Sequence, residues 1–188
     1  MGYDFKIVRK IERVPKEHKA QGSDPSYHRF NSTAMGLWRV AMQEWCEATY
    51  LADAPELPAF PPTGFDDVDR AYEVHSWLDG SGHAPAPIAT PQEIEAGKAY
   101  LAAYEDAVTR PAIRGDQVAS YKFESNAGWL VTPEECRLLA AKIEPMEQQL
   151  ASSFFSDAGF DDADALEMVE AWVAYQKLAA EYGGYRVR

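Results

Sequence analysis

Apolar and polar residues alternate over Tyr3-Asp4-Phe5-Lys6-Ile7-Val8-Arg9, the period-two pattern of a strand with one buried face. Residues 15–26 hold Pro15, Gly22 and Pro25 among polar side chains and read as loop. Tyr27-His28-Arg29-Phe30 is a second short strand. Asn31-Ser32-Thr33 then offers side-chain oxygens to the orphan amides of a helix start. Met35, Trp38, Met42, Trp45 and Thr49 recur at helical spacing, which predicts a helix to about Leu51, weakened locally by Gly36. Pro55, Pro58, Pro61 and Pro62 make residues 54–64 an extended connector, because proline fixes φ and lacks a donor. A short helix is predicted over 66–78 from Val68, Ala71 and Tyr72, followed by a second connector rich in glycine and proline over 79–91.

Thr90-Pro91-Gln92-Glu93 has a cap residue, proline at the first helical position and acid in the first turn. It opens a helix to about Val108, with Ile94 and Leu101 facing inward. Tyr121-Lys122-Phe123 reads as a third strand and Ser125-Asn126-Ala127-Gly128 as a turn. The strongest local signal is Thr132-Pro133-Glu134-Glu135, a capping box with Thr132 as cap and Glu135 at N3. Val131 and Cys136 flank it where a hydrophobic staple would place them in contact, and the helix should run to about Ile143 and bend or restart at Pro145. A final helix over 161–182 carries Leu166, Val169, Val173 and Ala180. It should end at Gly183-Gly184, ahead of an edge strand at 185–188. The expected fold is α+β in a single domain spanning 1–188. It is mostly helical, with a small antiparallel sheet built from strands near 3–9, 27–30 and 119–123.

Two local patterns recur. Phe30-Asn31-Ser32-Thr33-Ala34 parallels Phe123-Glu124-Ser125-Asn126-Ala127, and Gly64-Phe65-Asp66-Asp67 parallels Gly159-Phe160-Asp161-Asp162. They suggest an internal repeat over 27–78 and 120–173, two pseudo-symmetric strand-helix-helix halves whose strands adjoin in one sheet. The run from Lys122 to Cys136, with Phe123, Ser125-Asn126, Gly128-Trp129-Leu130-Val131 and the capping box, resembles a signature of uncharacterised actinobacterial and phage proteins. Arg29-Phe30-Asn31 with Met35-Gly36 is similar to their N-terminal half. The resemblance covers only these two patches. That family has no established activity, so the resemblance implies no catalytic residues.

Charge changes the picture more than composition does. Among 188 residues, 18 Lys and Arg face 30 Asp and Glu, a net charge of −12. Residues 1–29 carry a net +3, whereas residues 43–107 carry −11. A strongly acidic middle argues against direct nucleic-acid binding, which needs a cationic face for phosphates. It favours a basic protein partner, because such a field steers association. The acids expected to meet that partner are Glu44, Glu47, Asp53, Glu56, Asp66, Asp67, Asp69 and Glu73. No run approaches the roughly 20 apolar residues of a membrane helix, and the N-terminus lacks the apolar core of a signal peptide. With two cysteines there is no disulfide framework, so a cytoplasmic location is expected.

No Walker loop, dinucleotide fingerprint or nucleophile elbow is present. The clusters Asp66/Asp67/Asp69 and Asp161/Asp162/Asp164 could attract a hard cation, but aspartate at a helix start is explained by capping and the helix dipole. His75 and His83 with Asp79 lack helical ligand spacing, and no metal or cofactor is expected. Cys136, beside two glutamates and in a staple position, reads as buried and inert. The leading expectation is therefore a non-catalytic interaction protein of inhibitor, immunity or phage accessory type, of which DNA mimicry is a narrower version. The alternative is a small-molecule-binding protein or enzyme with a pocket around Asn126 and Trp129, joined by Ser125, Asn31 and Trp38.

Overall fold

Alternation along the first strand has its expected result: Phe5 and Ile7 are buried and Lys6 is exposed. The structure is a computed structural model, and it describes residues 2–9, 26–59, 91–125 and 127–187. In chain order it begins with β1 (Gly2–Ile7), β2 (Tyr27–Asn31), α1 (Ser32–Val40), a π-helical turn (Ala41–Trp45) and β3 (Thr49–Tyr50). After α2 (Pro91–Thr109) come β4 (Ile113–Arg114), β5 (Gln117–Ala119), a 3-10 turn (Ser120–Phe123), β6 (Leu130–Val131) and α3 (Pro133–Ile143). An irregular helical stretch then passes through 3-10, α and π turns from Glu144 to Phe155, before α4 (Asp162–Glu181) and β7 (Tyr185–Val187).

The fold is α+β. One sheet has the order β2-β1-β7-β6 with every pair antiparallel; Phe5 stands opposite His28 on one side and Val187 on the other. A smaller sheet has the order β3-β5-β4, with β3 parallel and β4 antiparallel to β5. The chain divides into two compact units, Met1–Ala54 with Thr109–Arg188, and Pro55–Val108. In the second unit α2 pairs Tyr100 with Tyr104 at 5.9 Å between ring centroids, and Lys98 with Glu95 at 3.0 Å.

The first unit is built around α4. Trp172 is fully buried and meets Phe5, Phe30, Trp38 and Tyr185 with ring centroids 5.1–6.0 Å apart. The sheet's inward positions therefore converge on one helical face, and α3 packs beside it. Edge-to-face rings add to the area term, each pair worth about 0.5–1.5 kcal/mol. The capping box is formed as expected: Thr132 Oγ1 accepts from the Glu135 amide at 3.3 Å, and Glu135 Oε2 accepts from the Thr132 amide at 2.7 Å. Cys136 Sγ donates to the Val131 carbonyl oxygen at 3.7 Å, and both residues are buried. The restart at Pro145 is a 3-10 turn, Glu144–Met146.

Three expectations need correction. The helix after Asn31 ends short of Leu51, because it widens into a π turn in which the Cys46 amide reaches back to the Ala41 carbonyl. Glu47 then turns the chain out at φ 48°. Residues 121–123 are a 3-10 turn rather than a strand, and the strand lies just upstream in the smaller sheet. Residues 185–187 form no edge: β7 is central, hydrogen-bonded to both β1 and β6. Phe30 lies in a strand of the larger sheet and Phe123 in the 3-10 turn that follows β5 of the smaller sheet. The Gly64-Phe65 member of the second pattern and the helix expected over 66–78 lie outside the described residues.

Gly184 fixes the approach to β7. Its φ is +84°, and a Cβ there would lie 2.1 Å from the Val131 carbonyl oxygen. Its amide also returns to the Ala179 carbonyl at 2.7 Å and closes the end of α4.

Candidate functional site

Glu44, Glu47, Asp53 and Glu56 are exposed, and none forms an ion pair among the described residues. Three of them, Glu44, Glu47 and Asp53, belong to the first unit. There they flank Leu51, the most exposed large hydrophobic side chain described, at 70%. Asp66, Asp67, Asp69 and Glu73 lie outside the described residues, as do His75 and His83. Asp161 caps α4, accepting from the Ala163 amide at 2.9 Å, as its position at a helix start predicts. Among the described residues no group of three His, Cys, Asp or Glu side chains could hold a metal ion.

The side chains expected to line a pocket are engaged in capping and packing. Asn31 accepts from the Ala34 amide at 2.8 Å and caps α1. Trp38 is fully buried against Phe30, Phe155 and Trp172. Ser125 accepts from Trp129 Nε1 at 3.0 Å, and Trp129 is buried edge-on against Tyr121 at 4.8 Å. Asn126 lies outside the described residues.

A cavity of about 260 Å³ opens instead on the other side of α1, entirely within the first unit. Its rim is exposed or half-buried: Gly36, Arg39, Val40 and Glu44. Inward it reaches Met42 and Thr49, and Ser120 and Phe123 from the 3-10 turn. Arg39 is neutralised by Glu124 at 3.3 Å, which leaves Glu44 as the uncompensated charge at the rim. Ser120 is 5% exposed, and its Oγ has no hydrogen-bond partner among the described residues. A buried hydroxyl left so costs about 1–3 kcal/mol. The π turn of Ala41–Trp45, a distortion frequent at functional sites, shapes this wall by placing Met42, Gln43 and Glu44 along the cavity.

The most buried charges among the described residues are not ones that the sequence motifs single out as a pair. Lys122 and Glu135 are both fully buried and paired at 2.7 Å. Lys122 Nζ donates to Glu135 Oε2, to the Leu130 carbonyl at 2.6 Å and to the Arg110 carbonyl at 2.9 Å, so its three N–H groups are all placed. Glu135 Oε1 accepts from the Ala112 amide at 2.7 Å. Burial pulls the Lys122 ammonium below its ordinary range, and Glu135 pulls it back up. The available signal was a lysine between two aromatics followed by a capping-box glutamate, and capping alone accounted for the glutamate.

The remaining reactive side chains are quiet. Burial pushes the Cys46 thiol up to about 11. Burial, then the Glu135 carboxylate, pushes Cys136 well above the ordinary thiol range. Neither is poised as a nucleophile near neutral pH. His28 packs against Phe30, Trp172 and Tyr175, and burial lowers it to about 4. No helix among the described residues is long and apolar enough to cross a membrane. No protein-family model, no curated protein and no solved structure gives a significant match to this chain.

Proposed function

We propose that this chain is a non-catalytic cytoplasmic interaction protein that offers an acidic surface to a basic protein partner, in an inhibitor, immunity or phage accessory role. The observation that carries the reading is the set of exposed carboxylates at Glu44, Glu47 and Asp53 in the first unit, which pair with no cation among the described residues. Exposed Leu51 within the same stretch supplies the apolar contact that a charged surface alone lacks. Unpaired carboxylates at a rim raise on-rates with a cationic partner and suppress acidic ones. The buried cysteines and the fully bonded Lys122 support a role without covalent chemistry.

Affinity capture at about 50 mM and about 500 mM salt tests this, since screening shortens the range of exposed charges several-fold between them. A basic partner is expected at low salt, lost at high salt, and lost from a Glu47→Gln/Asp53→Asn/Glu56→Gln variant that folds normally. A partner retained equally at both salt concentrations and by that variant, or no partner at all, overturns the reading.

A further inference from the structure

We propose that β2 is the docking edge for an acidic peptide, which extends the larger sheet by one strand. β2 ends the order β2-β1-β7-β6, so its second edge faces no strand among the described residues. The Ile7 amide donates to the Ser26 carbonyl at 2.9 Å, which makes that pair a hydrogen-bonded one. Alternation along an antiparallel ladder then makes Phe5 with His28, and Tyr3 with Phe30, hydrogen-bonded pairs as well. The amides and carbonyls of Tyr27 and Arg29 therefore point away from β1, and none has a partner among the described residues. Such a row of donors and acceptors is what an incoming strand requires.

Charge selects the sign of that strand, and the backbone selects its class. On the face opposite buried Phe5 and Phe30, the register brings Lys6, Arg29 and Arg186 together against Asp4 alone. This cationic face belongs to a chain of net charge −12. Asp4 is already engaged, since Arg29 lies 3.5 Å from it and the Tyr27 hydroxyl donates to it. Arg29 is exposed and has donors to spare among its N–H groups, and exposed Lys6 has no acid paired with it among the described residues. In an added antiparallel strand, the residue opposite Arg29 lies on the same face, so an acid there forms a cross-strand ion pair. Two residues further on, an aromatic side chain meets Tyr27, which is 41% exposed. A second copy is disfavoured, because antiparallel pairing of this edge about Arg29 sets two guanidinium groups against each other. A nucleic-acid strand would meet the cations but lacks the alternating amides and carbonyls that the edge requires.

The acidic surface proposed above does not carry this inference, and Glu44, Glu47 and Asp53 lie outside this sheet. Titration calorimetry with the full chain would use the capped peptide acetyl-Thr-Glu-Val-Tyr-Thr-amide, its lysine-for-glutamate analogue, and two N-methylated forms. The parent peptide should saturate with a Kd below about 1 mM, and the lysine analogue should bind about tenfold more weakly. N-methylation of its glutamate blocks the amide that faces Arg29 and should abolish binding. N-methylation of its valine, whose amide faces away from β2, should change affinity by less than about twofold. Arg29→Glu should reverse the preference, so that the lysine analogue binds the more tightly. Failure of the parent peptide to saturate, equal effects of the two methylations, or saturation by an oligouridylate in place of the peptide overturns the proposal. If Arg29→Glu misfolds, the methylated peptides decide alone, because they leave the protein unchanged.

Discussion

Lys122 ties three carbonyl- or carboxylate-bearing segments to one ammonium, and Glu135 ties two more backbone amides to the same pair. Desolvating two charges is costly, so such a pair contributes little net stability over a well-packed apolar substitute. Breaking it from one side is another matter, because it strands the remaining charge. Lys122→Met is expected to destabilise the protein by about 3–5 kcal/mol, and adding Glu135→Gln should recover part of that. Urea midpoints check this; a cost under about 1 kcal/mol for the single variant would refute it. His28 gives a second residue-scale expectation. Its folded value of about 4 lies below the ordinary 6.5, so the fold favours the neutral ring. The associated stability is complete above pH 6.5 and is lost as pH falls towards 4, about 3 kcal/mol in all. His28→Leu should flatten this part of the stability profile; an unchanged profile would show that other groups set it.

At the scale of elements, the exit from α1 carries the conflict. Glu47 holds a left-handed conformation at φ 48° that glycine adopts freely. Glu47→Gly should therefore stabilise the protein by about 0.5–1 kcal/mol in thermal unfolding, whereas Thr132→Ala at the capping box should cost about 1 kcal/mol. Elements whose signals are local were legible. The capping box, the proline-led start of α2, Asp161 at the head of α4 and the alternation of β1 all appear where their residues placed them. Elements set by distant contacts were not. The run of apolar residues past Val40 continues at helical spacing, but its last members join a strand that pairs with Gln117–Ala119, seventy residues away in the case of the Gln117 bond to Glu47. Likewise Tyr121-Lys122-Phe123 alternates as a strand would, yet the three oxygens around Lys122 Nζ hold it in a turn.

At the scale of the whole molecule, charge asymmetry was legible from composition, whereas the cavity was not. Its lining joins α1, the π turn, β3 and the 3-10 turn, segments with no shared motif. The expected pocket was a polar rim of Ser125 and Asn126 over an aromatic floor at Trp129, with Asn31 and Trp38 beside it, but capping bonds and ring packing engage Asn31, Trp38, Ser125 and Trp129. The larger sheet also ties positions near both ends of the sequence, since β7 lies between β1 and β6. Truncation after Gly183 should therefore leave no cooperative unfolding transition, a result calorimetry can read directly. A preserved transition would mean that the three remaining strands close by themselves.

That central placement of β7 orders the birth of the molecule. About 180 residues separate β1 from the strand that must sit beside it, and at 5–20 residues per second translation needs roughly ten to forty seconds to deliver them. Throughout that interval Phe5 and Ile7 emerge without Tyr185, Val187 or Trp172 to cover them. The nascent chain thus carries this aromatic surface uncovered until β7 has been made, and that interval is when a chaperone would gain most from holding it.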